Sequence, residues 1–223
     1  MATFPDRLTE GYEAFLSGRF ERERARYREL ASRGQKPEIM LIGCCDSRVA
    51  PEAIFDAAPG EMFVTRNVAN LVPPYQPDGE NHGTSAALEY AVQALRVKHI
   101  VVLGHAQCGG VAAHAAEGEP LSPGDFIGRW IAMIGPAAET IPQSQRNRPD
   151  YQRLLELASI RNSLRNLMTF PCVRILVERG KLKLHGAYFG VADGQLLALD
   201  QETGEFAPVA NAGGVRPSLM RCD

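Results

Sequence analysis

Two short patches carry residues able to hold a metal ion and act beside it: Cys44-Cys45-Asp46-Ser47-Arg48 and Gly104-His105-Ala106-Gln107-Cys108-Gly109-Gly110. Two thiolates and one imidazole suit zinc, and three protein ligands leave a fourth position for water or substrate. An ion held this way lowers the pKa of its water and makes hydroxide available near neutral pH. Thiolates donate more charge than imidazoles would, so the ion is a weaker Lewis acid and the rate should rise into the alkaline range. Asp46 and Arg48 stand two apart and share one side of an extended chain. The guanidinium keeps the carboxylate ionised, as an acceptor that can aim the nucleophile. If Arg48 lets go, Asp46 can instead become a fourth ligand and close the site. Gly109 and Gly110 are expected to let the backbone pass close to the metal.

Each patch needs an element that delivers it. Ile39–Ile42 and Ile100–Leu103 read as short all-apolar strands, buried on both faces of a parallel sheet. Both patches then lie just beyond the C-terminal ends of strands, where open α/β sheets bind ligands. Met62–Thr65 is a third strand. Helices are expected over residues 84–96, with Thr84 or Ser85 as N-cap, then from Cys108, over 125–138, and over 150–169 with a stop at Pro171. Val173–Glu178 reads as one more helical turn. Leu182–Val191 and Gln195–Asp200 read as a hairpin turning at Asp193-Gly194, which adds an antiparallel edge. The tail from Thr203 reads as extended. The fold class is therefore α/β: a mostly parallel central sheet flanked by helices, in a single domain over 1–223.

An N-terminal arm, about 1–34, stands apart. Leu8, Tyr12, Phe15, Leu16, Phe20, Tyr27 and Leu30 recur at helical spacing over 5–33, but Arg19–Arg33 is dense in Arg and Glu. It is either a solvated surface helix or an arm laid across a partner subunit.

Bulk properties exclude several classes. The 223 residues carry a formal net charge of −2 with no block of like charge, so no nucleic-acid or anionic membrane surface is expected. No apolar run reaches the roughly 18 residues of a membrane span, and no signal-peptide core follows Met1. Five cysteines are a poor match to a secreted disulfide framework. The cytoplasm is the expected compartment, where a Cys44–Cys108 disulfide would not form. Cys172, Cys222, His99, His114 and His185 lack metal-like spacing and read as ordinary core or hydrogen-bonded residues, and His82 nearly so. Cys45 faces away from Cys44 and reads as packing.

At these residues the chain resembles the β-class carbonic anhydrases, whose signature is Cys-x-Asp-Ser-Arg followed by Gly-His-x-x-Cys-Gly-Gly. The similarity runs from Gln35 to Val191 and includes Arg66-Asn67-Val68-Ala69-Asn70. It implies one Zn²⁺ per subunit on Cys44, His105 and Cys108, an Asp46–Arg48 dyad, and reversible hydration of CO₂ to bicarbonate. It also implies a homodimer or an assembly of dimers, with active sites at the subunit boundary. Within the family the chain is similar to the plant-like branch, whose CO₂ pocket is lined by a Gln, a Phe and a Tyr, here Gln35, Phe63 and Tyr90. The other branch holds bicarbonate at a regulatory pocket of Trp, Arg and Tyr. The matching positions here are Leu41, Arg66 and Phe189, and the one tryptophan, Trp130, lies elsewhere. Two anchors are missing, so no such switch is expected.

Two rival readings use the same residues. A CS₂ or COS hydrolase would share the scaffold. A structural zinc or thiol-redox protein would have a closed four-ligand site or a reversible Cys44–Cys108 bridge, but no Cys-x-x-Cys occurs. The proton leaves through His82, His114 or buffer; no residue announces itself as shuttle.

Overall fold

β1 (Ile39–Cys44) is an all-apolar run that ends on Cys44, a candidate metal ligand, and the sheet is built around it. A computed structural model describes residues 4–78, 82–116 and 125–209 of the chain. β2 (Met62–Asn67) and β3 (His99–His105) flank β1 in parallel, and β4 (Lys183–Phe189) continues in parallel beyond β3. β5 (Leu196–Leu199) and β6 (Phe206–Pro208) then pair antiparallel, completing a six-stranded sheet in the order β2-β1-β3-β4-β5-β6. The expected mixed sheet and C-terminal hairpin are both present. The hairpin turns where Gly194 takes φ 68°, a left-handed conformation open to glycine. β6 is a short addition at the edge that the Gly/Pro-punctuated sequence did not announce.

The helices are α1 (Asp6–Phe15), α2 (Glu21–Arg33), α3 (Pro51–Ile54), α4 (Gly83–Glu89), α5 (Gly109–Ala115), α6 (Asp125–Ala132), α7 (Gly135–Glu139), α8 (Gln143–Arg146), α9 (Tyr151–Leu167) and α10 (Pro171–Glu178). A π-helical turn, Leu16–Phe20, joins α1 to α2, and another, Tyr90–Leu95, extends α4.

Three helix expectations need correction. Neither Thr84 nor Ser85 caps α4, which starts at Gly83 without a side-chain cap. The Thr84 hydroxyl instead accepts from Asn67 Nδ2 at 3.2 Å. The helix over 125–138 is two helices, with Pro136 in the first turn of α7. Pro171 does not stop α9, which ends at Leu167; it opens α10, where its missing N–H costs nothing.

Strand periodicity splits the core. Met40, Ile42, Ile100, Val102 and Tyr188 face one layer, where α4, α9 and α10 add Leu88, Ile160, Leu167 and Val173. Leu41, Leu103 and Ala187 face the other, a smaller cluster. Ile160, fully buried, fixes how close α9 comes to the sheet. A Cβ on Gly104 would stand 2.6 Å from Ile160 Cδ1, and one on Gly186 would stand 2.9 Å from its Cγ2. The two strand glycines thus admit the helix, and burying the isoleucine contributes roughly 1.5–3 kcal/mol. This close approach also brings the first turns of α9 beneath Cys108.

The N-terminal arm is helical as expected, and α1 and α2 bury no residue within the chain. Phe15, Phe20 and Tyr27 pack on one another at 5.3–5.9 Å between ring centres. Arg26 Nε donates to Pro59 O at 2.6 Å, tying α2 to the turn before β2. Phe4, Leu8 and Tyr12 remain largely exposed.

Candidate metal centre

Parallel register puts the two signature patches side by side. Gly43 pairs with Leu103, so Cys44 at the end of β1 and His105 at the end of β3 arrive at one edge of the sheet. Cys108 follows on the turn into α5, as its cap. The ligand atoms of Cys44, His105 and Cys108 all lie within 4.8 Å of one another, and all three residues are buried. The two sulfurs are 4.0 Å apart. Two thiolates at 2.3 Å from one tetrahedral ion stand about 3.8 Å apart, so the pair already has the spacing zinc requires.

His105 makes the same point from the nitrogen side. Its Nδ1 lies 2.9 Å from Ala106 O and donates to that carbonyl, which leaves the Nε2 lone pair free. Nε2 is buried and has no hydrogen-bond partner. A buried polar atom without a partner costs about 1–3 kcal/mol, a cost that coordination to a metal removes. The donor set therefore fits zinc.

The two sulfurs are not equivalent. Cys44 is pulled down into the thiolate range by the hydrogen bond it accepts from the Cys108 thiol, helped by His105 and the Asp46 N–H, against burial. Cys108 is pushed up by that same bond, then by burial and the Cys44 charge. Burial pushes His105 down, but the nearby Cys44 sulfur outweighs it and the imidazole is raised.

The turns on either side are held by named contacts. Arg48 Nε and Nη2 grip Asp46 Oδ1 and Oδ2 at 2.9 and 2.7 Å, and the Arg48 N–H donates to Oδ1 at 2.9 Å. This fork holds the Asp46 carboxyl well below its usual range. Arg48 Nη2 also reaches Gln107 O at 3.1 Å, across to the second patch. Gln107 sits at φ 57°, so the His105–Cys108 turn includes a left-handed residue that needs such support. Asp46 Oδ2 is 4.0 Å from His105 Nε2, beside the ligand set.

The Arg66–Asn70 patch braces the same corner. Arg66 donates to Cys44 O at 2.7 Å and to Asp46 O at 2.6 Å. The Asn67 amide exchanges two bonds with the Leu71 backbone, both 2.8 Å, across the left-handed pair Ala69 and Asn70. Val68 and Ala69 then fill the space where a Cβ on Gly110 would fall, 2.8 Å from Val68 Cγ1. This turn requires a residue without a side chain at Gly110, whereas Gly109 has no protein atom within 4 Å of its Cβ position.

Other expectations meet the structure as follows. Cys45 is exposed, not packed. His99 Nδ1 and His185 Nε2 meet at 3.0 Å, and burial with His99 and Lys183 nearby lowers His185. His82 pairs with Asp78 at 2.7 Å. Cys222 and the tail from 210 lie outside the described residues. Leu41 and Phe189, the positions of the missing regulatory anchors, pack in one apolar cluster.

Gln35, Phe63 and Tyr90 are not brought to the ligand set within the chain. Gln35 is exposed and precedes β1, and residues 35 to 44 span roughly 30 Å when extended. Phe63 pairs with Met40, one strand length short of Cys44. Tyr90 packs against Phe63 with ring centres 5.8 Å apart and is 50% exposed. A cavity of about 520 Å³ lies at that far end, lined by Lys36, Ile39, Leu41, Phe55 and Met62 among others, with none of the ligands.

Three supporting residues escaped sequence reasoning: Gln152, Glu156 and Tyr188. Glu156, Ser159 and Ser163 are buried polar residues at helical spacing in a leucine-rich helix. That stripe was the available signal.

Comparison with known proteins agrees with this geometry. Residues 39–196 match the carbonic anhydrase family. The chain is 37% identical over 194 residues to mitochondrial beta carbonic anhydrase 6 of Arabidopsis thaliana, covering 85% of this chain and 66% of the length of that relative. Its fold matches the solved beta-carbonic anhydrase CcaA with a TM-score of 0.78 and 30% identity, over 92% of both chains. It also matches a structure from work on two tetrameric beta-carbonic anhydrases of the filamentous ascomycete Sordaria macrospora, with a TM-score of 0.74 and 29% identity, over 91% of this chain and 97% of that one. With the signature residues converging at one sheet edge, the chain belongs to the β-class carbonic anhydrases.

Proposed function

We propose that the protein is a carbonate dehydratase, a zinc-dependent lyase that hydrates carbon dioxide reversibly to bicarbonate and a proton. The observation that carries this reading is a buried Cys44–His105–Cys108 set beside an Asp46 carboxylate locked by Arg48. Bound there, zinc supplies the Lewis acidity that lets water ionise near neutral pH.

The chain's own residues supply orientation. Asp46 Oδ2 keeps a lone pair free beside His105 and accepts the O–H of the attacking water, so the oxygen's own lone pair points at the carbon. Arg48 holds that carboxylate ionised and grips both of its oxygens, which would leave a zinc held by Cys44, His105 and Cys108 open to water. Leu41 and Phe189 offer no polar group to a regulatory bicarbonate, in keeping with the plant-like branch.

A second copy of the chain completes the substrate pocket. Phe63 and the half-exposed Tyr90 form an aromatic pair away from their own chain's ligands, and Gln35 is an exposed donor just before β1. In a homodimer or assembly of dimers these three face the partner's site. The arm of α1 and α2, with nothing buried, suits the same boundary. If so, the rate per chain falls as dilution dissociates the protein; a constant rate down to fully monomeric protein would refute the shared site.

Neither nucleic acid nor membrane is a partner in this reading, and no helix among the described residues is long and apolar enough to cross a membrane. Two free sulfurs 4.0 Å apart require a reducing compartment, and we place the enzyme in the cytoplasm, in carbon utilisation.

Stopped-flow CO₂ hydration by zinc-loaded protein from about pH 6.5 to 9 tests the activity. The expected result is a fast rate rising toward alkaline pH. A steep collapse below about pH 8 involving more than one proton would point to a closing or bicarbonate-switched site. No hydration with zinc bound would overturn the reading and direct attention to CS₂ and COS.

A further inference from the structure

The Cys108 peptide is clamped from beneath by three side chains that are not metal ligands. Glu156 Oε1 accepts the Cys108 N–H at 2.9 Å and the Gln152 amide at 2.9 Å. Gln152 Nε2 also approaches Cys108 O at 3.4 Å, so α9 touches the backbone on both sides of the Cys108 Cα. Glu156 Oε2 accepts the Tyr188 O–H from β4 at 2.8 Å. Glu156 is 4% exposed and Tyr188 4% exposed.

A buried carboxylate is expensive unless its oxygens are satisfied, and here all three partners present hydrogens to it. The cost is placed where it fixes one atom group. The His105–Cys108 turn carries a left-handed Gln107, and its Ala106 N–H donates to Phe189 O at 2.9 Å. Arg48 holds its Gln107 carbonyl from one face, and Glu156 holds the next N–H from the other. Gly104 and Gly186 let α9 approach closely enough for this contact.

We propose that Glu156, held by Gln152 and Tyr188, is a positioning residue that pre-sets the Cys108 sulfur for the metal. It touches neither substrate nor reacting atoms and acts through the backbone of a ligand. Loss of the clamp frees the turn to relax, and the metal is then held by two fixed ligands and one loose one. The inference rests on the zinc site proposed above.

Its test is zinc release to a chelating dye, with the cobalt(II) thiolate absorption band as a second readout, on full-length protein. Glu156→Ala should release zinc at least about tenfold faster and alter the cobalt band, as loss of an outer partner of a ligand does. Glu156→Gln keeps an acceptor for the Cys108 N–H and turns an amide toward the Tyr188 oxygen, so it should stay within about threefold of the parent. Gln152→Ala, in the half-buried first turn of α9, should speed release about threefold and decides the matter if Glu156→Ala does not fold. Parent-like release and an unchanged cobalt band in Glu156→Ala, or in Gln152→Ala where only that variant folds, would overturn the proposal. So would a Gln variant as impaired as the Ala variant, because positioning would then not be the cause. CO₂ hydration by the parent tests the activity separately, since release rates read the clamp whether or not the parent hydrates CO₂.

Discussion

Cys44→Ser is expected to empty the metal centre and abolish CO₂ hydration. Zinc content after dialysis should fall to background, and the rate should drop at least about a thousandfold, to what buffer alone gives. The size follows from the chemistry of the donors. In the three-histidine carbonic anhydrases the metal takes the pKa of water from 15.7 to about 7, and no side chain of this site can replace that effect. A serine hydroxyl does not ionise as the Cys44 thiol does, and Cys44 is the sulfur whose surroundings already favour the thiolate. Removing it leaves two strong donors, Cys108 and His105, where a zinc centre of this kind uses three. Loss of an outer partner costs metal affinity about 10–100-fold, and loss of a ligand should exceed that. Metal analysis and stopped-flow assay of the same sample check the outcome. A variant that keeps stoichiometric zinc would remove Cys44 from the ligand set.

Much of this centre is legible in the amino-acid sequence alone. Cys44, His105 and Cys108 could be joined because both patches follow apolar runs, and parallel strands deliver their C-terminal ends to one edge. The Asp46–Arg48 pair was legible because it is local, two residues apart. What the sequence hid is what depends on packing between distant segments. Glu156 reaches Cys108 only because Ile160, one helical turn further on, lies over two strand glycines. No spacing rule links those positions. Two prolines account for other differences: Pro171 reads as a terminator but opens α10, and Pro136, which opens α7, passes unmarked inside a single expected helix. Cys45 was misjudged because strand alternation gives the face but not what covers it. Gln35, Phe63 and Tyr90 could be named only through family resemblance, since within the chain nothing brings them to Cys44, His105 and Cys108.

Asp46→Asn separates catalysis from metal binding. The variant should keep its zinc within about twofold and lose roughly 10²–10⁴ in CO₂ hydration. Asparagine keeps the shape and one carbonyl oxygen, which can still take the two bonds now made to Oδ1 by the Arg48 N–H and Nε. The amide nitrogen then falls at Oδ2, where it meets Arg48 Nη2, now 2.7 Å from that oxygen, donor against donor. It also presents a hydrogen where the attacking water needs an acceptor. The pH profile gives the sign. Arg48 holds the parent carboxyl below its usual range, so Asp46 is ionised throughout pH 6.5 to 9 and does not set the acid limb. That limb belongs to the reacting water. Removing a negative charge beside it while Arg48 stays makes the site more positive, which favours the ionised water. The residual rate of the variant should therefore reach its midpoint at lower pH than the parent. Zinc analysis distinguishes the rival: were Asp46 the fourth ligand of a closed site, the variant would lose metal affinity. Unchanged activity with zinc retained would remove Asp46 from the reaction.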